Sequence, residues 1–195
     1  MSHEGHQTTR ATTTPGDDVI EVLLNQHQEI KRLFRAVHDG KGQERDDAFN
    51  ALRAMLAVHE TGEEEVLRPV TRSSVPDGDR IADARMEEEN HAKDALARLE
   101  QLGPDAPEFD AELRQFERSV LDHAEHEEQE EFPAVRQARS EGQLRAMAKA
   151  LKTAEAMAPT HPHPNVRSTT ANLLTGPFAA MADRVRDAVR QATRD

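Results

Sequence analysis

Between residues 17 and 139 the apolar residues recur three and four places apart in four successive stretches, and nowhere alternate as a strand requires. The first stretch, about 17–39, carries Ile20, Leu23, Leu24, Ile30, Leu33, Phe34 and Val37, with Asp17 or Asp18 suited to its start and a break at Gly40 and Gly42. The second, about 45–68, carries Leu52, Met55, Leu56, Val66 and Leu67, and stops or kinks near Pro69. A loop with Ser73, Ser74, Pro76 and Gly78 follows. The third stretch, about 79–102, uses Ile81, Ala84, Ala95, Leu99 and Leu102, and the fourth, about 108–139, uses Phe109, Leu113, Phe116, Val120 and Phe132. Four helices of this length on short connections predict an all-α fold, an antiparallel up-down four-helix bundle over 17–139. Residues 1–16, polar and rich in Thr, read as a disordered leader. Residues 140–195 read as a helical C-terminal extension packed on the bundle: a helix at about 140–157, a proline-broken loop at 158–165 and a short amphipathic helix at about 176–193.

Composition removes several kinds of chemistry. With no cysteine there are no disulfides, zinc ribbons, iron–sulfur clusters or thiol nucleophiles. Without Tyr or Trp there is no tyrosyl radical and no platform for stacking bases. The net charge of −12 argues against nucleic acid as a partner. No apolar run approaches the roughly 20 residues of a membrane span, and residues 1–16 lack the apolar centre of a signal peptide, so a cytoplasmic protein without a membrane partner is expected. The acidity is local: residues 140–195 hold eight bases and five acids, +3, so the first 139 residues carry −15.

That acidic part also holds histidines on its apolar faces. His27 lies one helical step from Leu23, Leu24, Ile30 and Phe34; His59 continues Leu52, Met55 and Leu56; His91 lies between Ala84 and Ala95; His123 follows Phe116 and Val120. The four are each 32 residues apart, so each helix is expected to send one imidazole inward. Two of them carry a carboxylate four residues on, His59 with Glu63 and His123 with Glu127, and residues four apart share a helix face. In both copies a second Glu follows at once and a proline comes six places after the first. The chain thus repeats at an offset of 64, as two helical hairpins around one site. Imidazoles hold iron, copper or zinc, and carboxylates can bridge two ions and offset their charge. Six such groups buried without metal would be poorly satisfied.

The pattern His27, His59-x-x-x-Glu63, His91, His123-x-x-x-Glu127 resembles the hemerythrin-like (HHE cation-binding) domain family over about residues 17–139. The resemblance implies a non-haem centre of two iron ions, oxo- or hydroxo-bridged, with Glu63 and Glu127 bridging and the four histidines as terminal ligands. Oxygen carriers of this family have a fifth histidine four residues before that of the third helix; Glu87 stands there, which weakens an oxygen-transport role. Glu87, Glu88 and Glu60 are the further acids near the site. No catalytic residue beyond the metal ligands is expected. The leading function is catalase-like decomposition of peroxide. The alternatives are non-catalytic binding or sensing of oxygen or nitric oxide, and iron storage, by a monomer or weak homodimer. His126 reads as rim, His38 as a cation suited to a helix end, and His161 and His163 as part of a rigid connector that would otherwise gate the bundle mouth.

Overall fold

The computed structural model describes residues 18–156; the leader and the 158–165 and 176–193 segments, with His161 and His163, lie outside them. Within the described residues every regular element is helical: α1 (Val19–Asp39), α2 (Gln43–Gly62), a π-helical turn π1 (Glu63–Leu67), α3 (Arg68–Ser74), α4 (Gly78–Leu102), α5 (Phe109–His126), a second turn π2 (Glu127–Glu131), α6 (Phe132–Ala138) and α7 (Glu141–Glu155). None of these helices is long and apolar enough to cross a membrane.

Local chemistry sets the ends. Asp18 accepts from the Glu21 backbone N–H at 2.9 Å while the Glu21 carboxylate accepts from the Asp18 N–H at 3.1 Å, a closed capping box that starts α1. Ser140 and Gln143 make the same reciprocal pair at the start of α7. Gly103, at φ 74°, ends α4 in a conformation that a side chain would strain.

Pro69 and Pro133 do not stop their helices. Glu63 and Arg68 keep helical dihedrals, so α2, π1 and α3 form one rod, and α5, π2 and α6 form another. A proline lacks the N–H that an α-helix needs and its ring collides with the carbonyl one turn back. In each rod the proline sits in the first turn after a π turn, where the N–H of Arg68 reaches the Glu63 carbonyl and that of Phe132 reaches the Glu127 carbonyl. The wider turn adds one residue, so the helix continues with its phase advanced by one position.

The two rods alternate with α1 and α4 to close the predicted bundle, and α7 packs across α1, α2 and π1. The core is divided in two. At one end Val19, Leu23, Leu67, Val70, Ile81, Phe132 and Val135 pack together beneath Leu144, Met147 and Leu151 of α7. At the other, Phe34, Phe49, Leu52, Leu99, Phe109, Leu113 and Phe116 interlock. Each of the four bundle members passes from one apolar cluster to the other, and between the clusters each contributes buried polar residues. This middle layer is the candidate site.

Candidate metal centre

α1 brings His27 to the layer, α2 His59, π1 Glu63, α5 His123 and π2 Glu127, so the structure assembles five of the six residues expected from sequence. It does not bring His91. That residue is exposed on the outer face of α4, beside Asp83, Met86, Glu87, Asn90 and Asp94, and Glu89 occupies the inward position instead. The correction is one of helical phase. The buried face of α4 is Ala82, Arg85, Glu89, Ala92, Leu96 and Leu99, and two residues further on turns a side chain by about 200°. Ala84, Ala95 and Leu102, which suggested the other phase, are only partly buried or exposed. A helix pattern drawn through Ala92 and Leu96 would have found Glu89.

The donors form two overlapping sets. His27, His59, Glu63 and Glu127 present ligand atoms within 4.8 Å of one another, and so do Glu63, Glu89, His123 and Glu127. Glu63 and Glu127 belong to both. Each inward imidazole is held from outside: His27 Nδ1 pairs with Glu128 at 2.8 Å, His59 Nδ1 with the Gln26 side-chain oxygen at 2.9 Å, and His123 Nδ1 with Glu88 at 2.9 Å. An acceptor at Nδ1 keeps the proton there and leaves the Nε2 lone pair for a metal. Inside, Nε2 of His27 lies 3.3 Å from Glu127, that of His123 3.3 Å from Glu127, and that of His59 3.6 Å from Glu63.

Arg68, like Glu89, is a residue that sequence reasoning missed. Its side chain is buried among four carboxylates: Nη2 donates to Glu127 at 2.5 Å and Glu89 at 2.6 Å and lies 3.5 Å from Glu63, and Nη1 donates to Glu131 at 2.5 Å. The π turn makes this possible. In an α-helix the residue stacked over Glu63 would be Leu67; in the π turn it is Arg68.

The charges strain against burial. Burial and the neighbouring Glu127 push the Glu63 carboxyl well above the ordinary range. Burial acts the same way on Glu127, but His123 and Arg68 outweigh it and hold that carboxyl well below. Burial opposes a charged His123 too, yet Glu127 and Glu88 keep its proton bound well above the usual histidine value. Burial and the neighbouring His27 hold His59 well below it, and so neutral.

A metal fits this donor set. His27 Nε2, Glu63 Oε1 and Glu127 Oε2 are buried and lack a hydrogen-bond partner, and all three belong to the clustered donors. The phase correction gives a direct test: Glu89→Ala should lower bound metal per chain, whereas His91→Ala should leave it unchanged. Metal loss in the His91 variant would restore the sequence expectation.

A cavity of about 20 Å³ abuts the imidazoles, walled by Ile30, Leu56, Ala92, Val120, Leu121 and Ala124, with Glu60 at its edge. That is room for about one water-sized molecule. Glu60 faces Lys93, whose ammonium lies 3.4 Å away and 2.9 Å from Glu64. Burial lifts the Glu60 carboxyl to about 7 even with Lys93 lowering it. A carboxyl raised on folding stabilises the protein most below its unfolded pKa and loses that contribution as pH rises through the folded value. The native protein should therefore lose on the order of 1–3 kcal/mol between pH 5 and pH 8 from this group, and Glu60→Gln should flatten that part of the profile in urea titrations.

The remaining sequence expectations resolve simply. Glu88 bridges His123 and His126, the latter half exposed; Glu87 is exposed; His38 pairs with Glu117 at 2.9 Å.

Residues 18–135 match the hemerythrin HHE cation binding domain. The chain is 28% identical over 152 residues to a protein of Nostoc sp. (strain PCC 7120) named as a DNA nickase, covering 77% of this chain and 43% of that one. It is 28% identical over 134 residues to an uncharacterized hemerythrin-like protein of Schizosaccharomyces pombe, covering 68% and 66%. The chain therefore spans less than two thirds of the length of either relative. The fold is similar to the crystal structure of a hemerythrin HHE cation binding domain-containing protein from Mycobacterium kansasii, with a TM-score of 0.64 and 20% identity over 87% of this chain and 99% of that one. With more than half of its length matched and three imidazoles and three carboxylates converging inside a helical bundle, the chain belongs to the hemerythrin HHE cation-binding domain family.

Proposed function

We propose that the chain holds two iron ions between His27, His59, Glu63, Glu89, His123 and Glu127 and decomposes hydrogen peroxide in the manner of a catalase. The observation that carries this reading is the pair of overlapping donor sets sharing Glu63 and Glu127, with each imidazole's outer nitrogen already engaged. A redox-active iron pair supplies the exchange of two electrons that each half of the reaction needs: one peroxide takes two electrons and two protons to become two waters, and a second returns them as it becomes oxygen.

The chain's own residues shape that chemistry. Three carboxylates beside three imidazoles make an anionic, oxygen-rich shell, which favours the higher charge state of a metal over reversible binding of neutral oxygen. Arg68 holds Glu127 and Glu89 in place, donating to the same Oε1 atoms that face His123 Nε2. The apolar walls of the cavity exclude bulk water and anything much larger than peroxide. The Nostoc relative's name points to DNA, but the match spans 43% of that protein, and a net charge of −12 repels a phosphate backbone.

The test is metal analysis of untagged protein followed by peroxide turnover at an oxygen electrode. The reading expects two irons per chain and one oxygen for every two peroxides, over many cycles. A single spectral change without oxygen release would replace it with binding or sensing; zinc, or no metal in a folded protein, would end the redox reading.

A further inference from the structure

Helix α7 lies beyond the residues that match the family domain, yet it reaches the centre. Gln26 Nε2 donates to Glu155 on α7 at 2.5 Å, and the other end of the same amide accepts at His59 Nδ1, 2.9 Å away. The relay from α7 to the imidazole is thus two hydrogen bonds long.

Its polarity follows from the chemistry of the three groups. A carboxylate only accepts, so Glu155 requires the NH₂ end of Gln26 to face it. The Gln26 oxygen then faces His59, and an oxygen there requires His59 Nδ1 to carry the proton. His59 Nε2 is left bare toward Glu63 and the other donors. If the Gln26 amide were turned over, its NH₂ would face Nδ1 and the imidazole proton would move to Nε2, the nitrogen needed for a metal.

α7 is also fixed against the backbone beside the site. A Cβ on Gly62 would fall 2.5 Å from Leu151 Cδ1 and 3.7 Å from Glu155 Cγ, so the helix lies directly on the residue before Glu63. Met147, Leu151 and Ala154 anchor it in the apolar cluster beneath.

We propose that Glu155 is a positioning residue of the metal centre: from a helix outside the family domain it orients the Gln26 amide and so sets the His59 tautomer that binds metal. The inference rests on the reading above that His59 holds metal through Nε2, but its first readout does not.

The decisive variant is Glu155→Gln, which keeps shape and removes the acceptor-only character. In the metal-free protein, long-range ¹H–¹⁵N spectra of labelled histidine should show His59 as the Nδ1–H form in the wild type and as a mixture of tautomers in the variant. Cobalt(II) titration of the same variant should show affinity about 10-fold weaker. Ala148→Gly, which loosens α7 without touching the relay, should lower the melting temperature and leave the His59 tautomer as it was. An unchanged tautomer with cobalt affinity within about twofold of wild type in Glu155→Gln overturns the proposal, as does a tautomer shift of the same size in Ala148→Gly. A wild type that binds no cobalt would sink the metal reading, and the tautomer spectra would still judge the relay.

Discussion

Replacing Arg68 with methionine should destabilise the metal-free protein by about 3–5 kcal/mol, because breaking a buried ion cluster leaves its carboxylates uncompensated. Arg68 is 3% exposed and faces Glu63, Glu89, Glu127 and Glu131, all buried. A methionine fills much of the same volume, so lost charge rather than a cavity dominates. In the wild type, Glu127 is held below the ordinary carboxyl range, so its contribution is present above the unfolded pKa and is lost as pH falls through the folded one. Removing Arg68 takes away a charge that lowers Glu63, Glu127 and Glu131 alike, with His123 and His27 left to hold Glu127 down, and the variant should recover stability relative to wild type as pH is lowered toward about 5. Urea unfolding at several pH values reads both effects. Divalent metal supplies the missing positive charge, so it should raise the melting temperature more in the variant than in the wild type. A variant as stable as wild type at neutral pH, with the same pH profile, would mean that Arg68 is not the counter-charge of the layer.

The second large effect is on metal content. Glu63 and Glu127 belong to both donor sets, whereas His27 and His59 serve one and Glu89 and His123 the other. Glu127→Ala or Glu63→Ala should therefore take bound metal from about two ions per chain to near zero, while His27→Ala or His123→Ala should leave about one. Elemental analysis after reconstitution measures this directly. Two ions retained in Glu127→Ala would dismantle the shared-carboxylate arrangement. Equal loss in all four variants would mean that the two sets act as one.

Much of this architecture was legible in the chain because helix formation here is governed by short-range pattern. The apolar period marked four long helices and α7, with every end but the one at Pro69 placed to within a few residues, and Asp18 stood where a side chain can cap. His27, His59, Glu63, His123 and Glu127 were readable for the same reason: each lies in phase with strongly apolar neighbours such as Phe34, Leu56 and Phe116. α4 is the weak case. Half of its apolar residues are alanines, which mark a face poorly, and an even spacing of 32 residues pointed to His91 rather than Glu89.

What the amino-acid order determined by itself was helix, repeat and donor chemistry: period, caps and the two His-x-x-x-Glu pairs act over a single turn. Packing between helices set which face of α4 turns inward, how the helices absorb Pro69 and Pro133, and what meets across the middle layer. Each π turn advances the phase of its rod by one residue, the first carries Arg68 inside, and α7 folds back so that Glu155 reaches Gln26 over 129 residues of chain. Such choices depend on which surfaces pack best against one another, a property of the assembled bundle that no single turn of sequence contains.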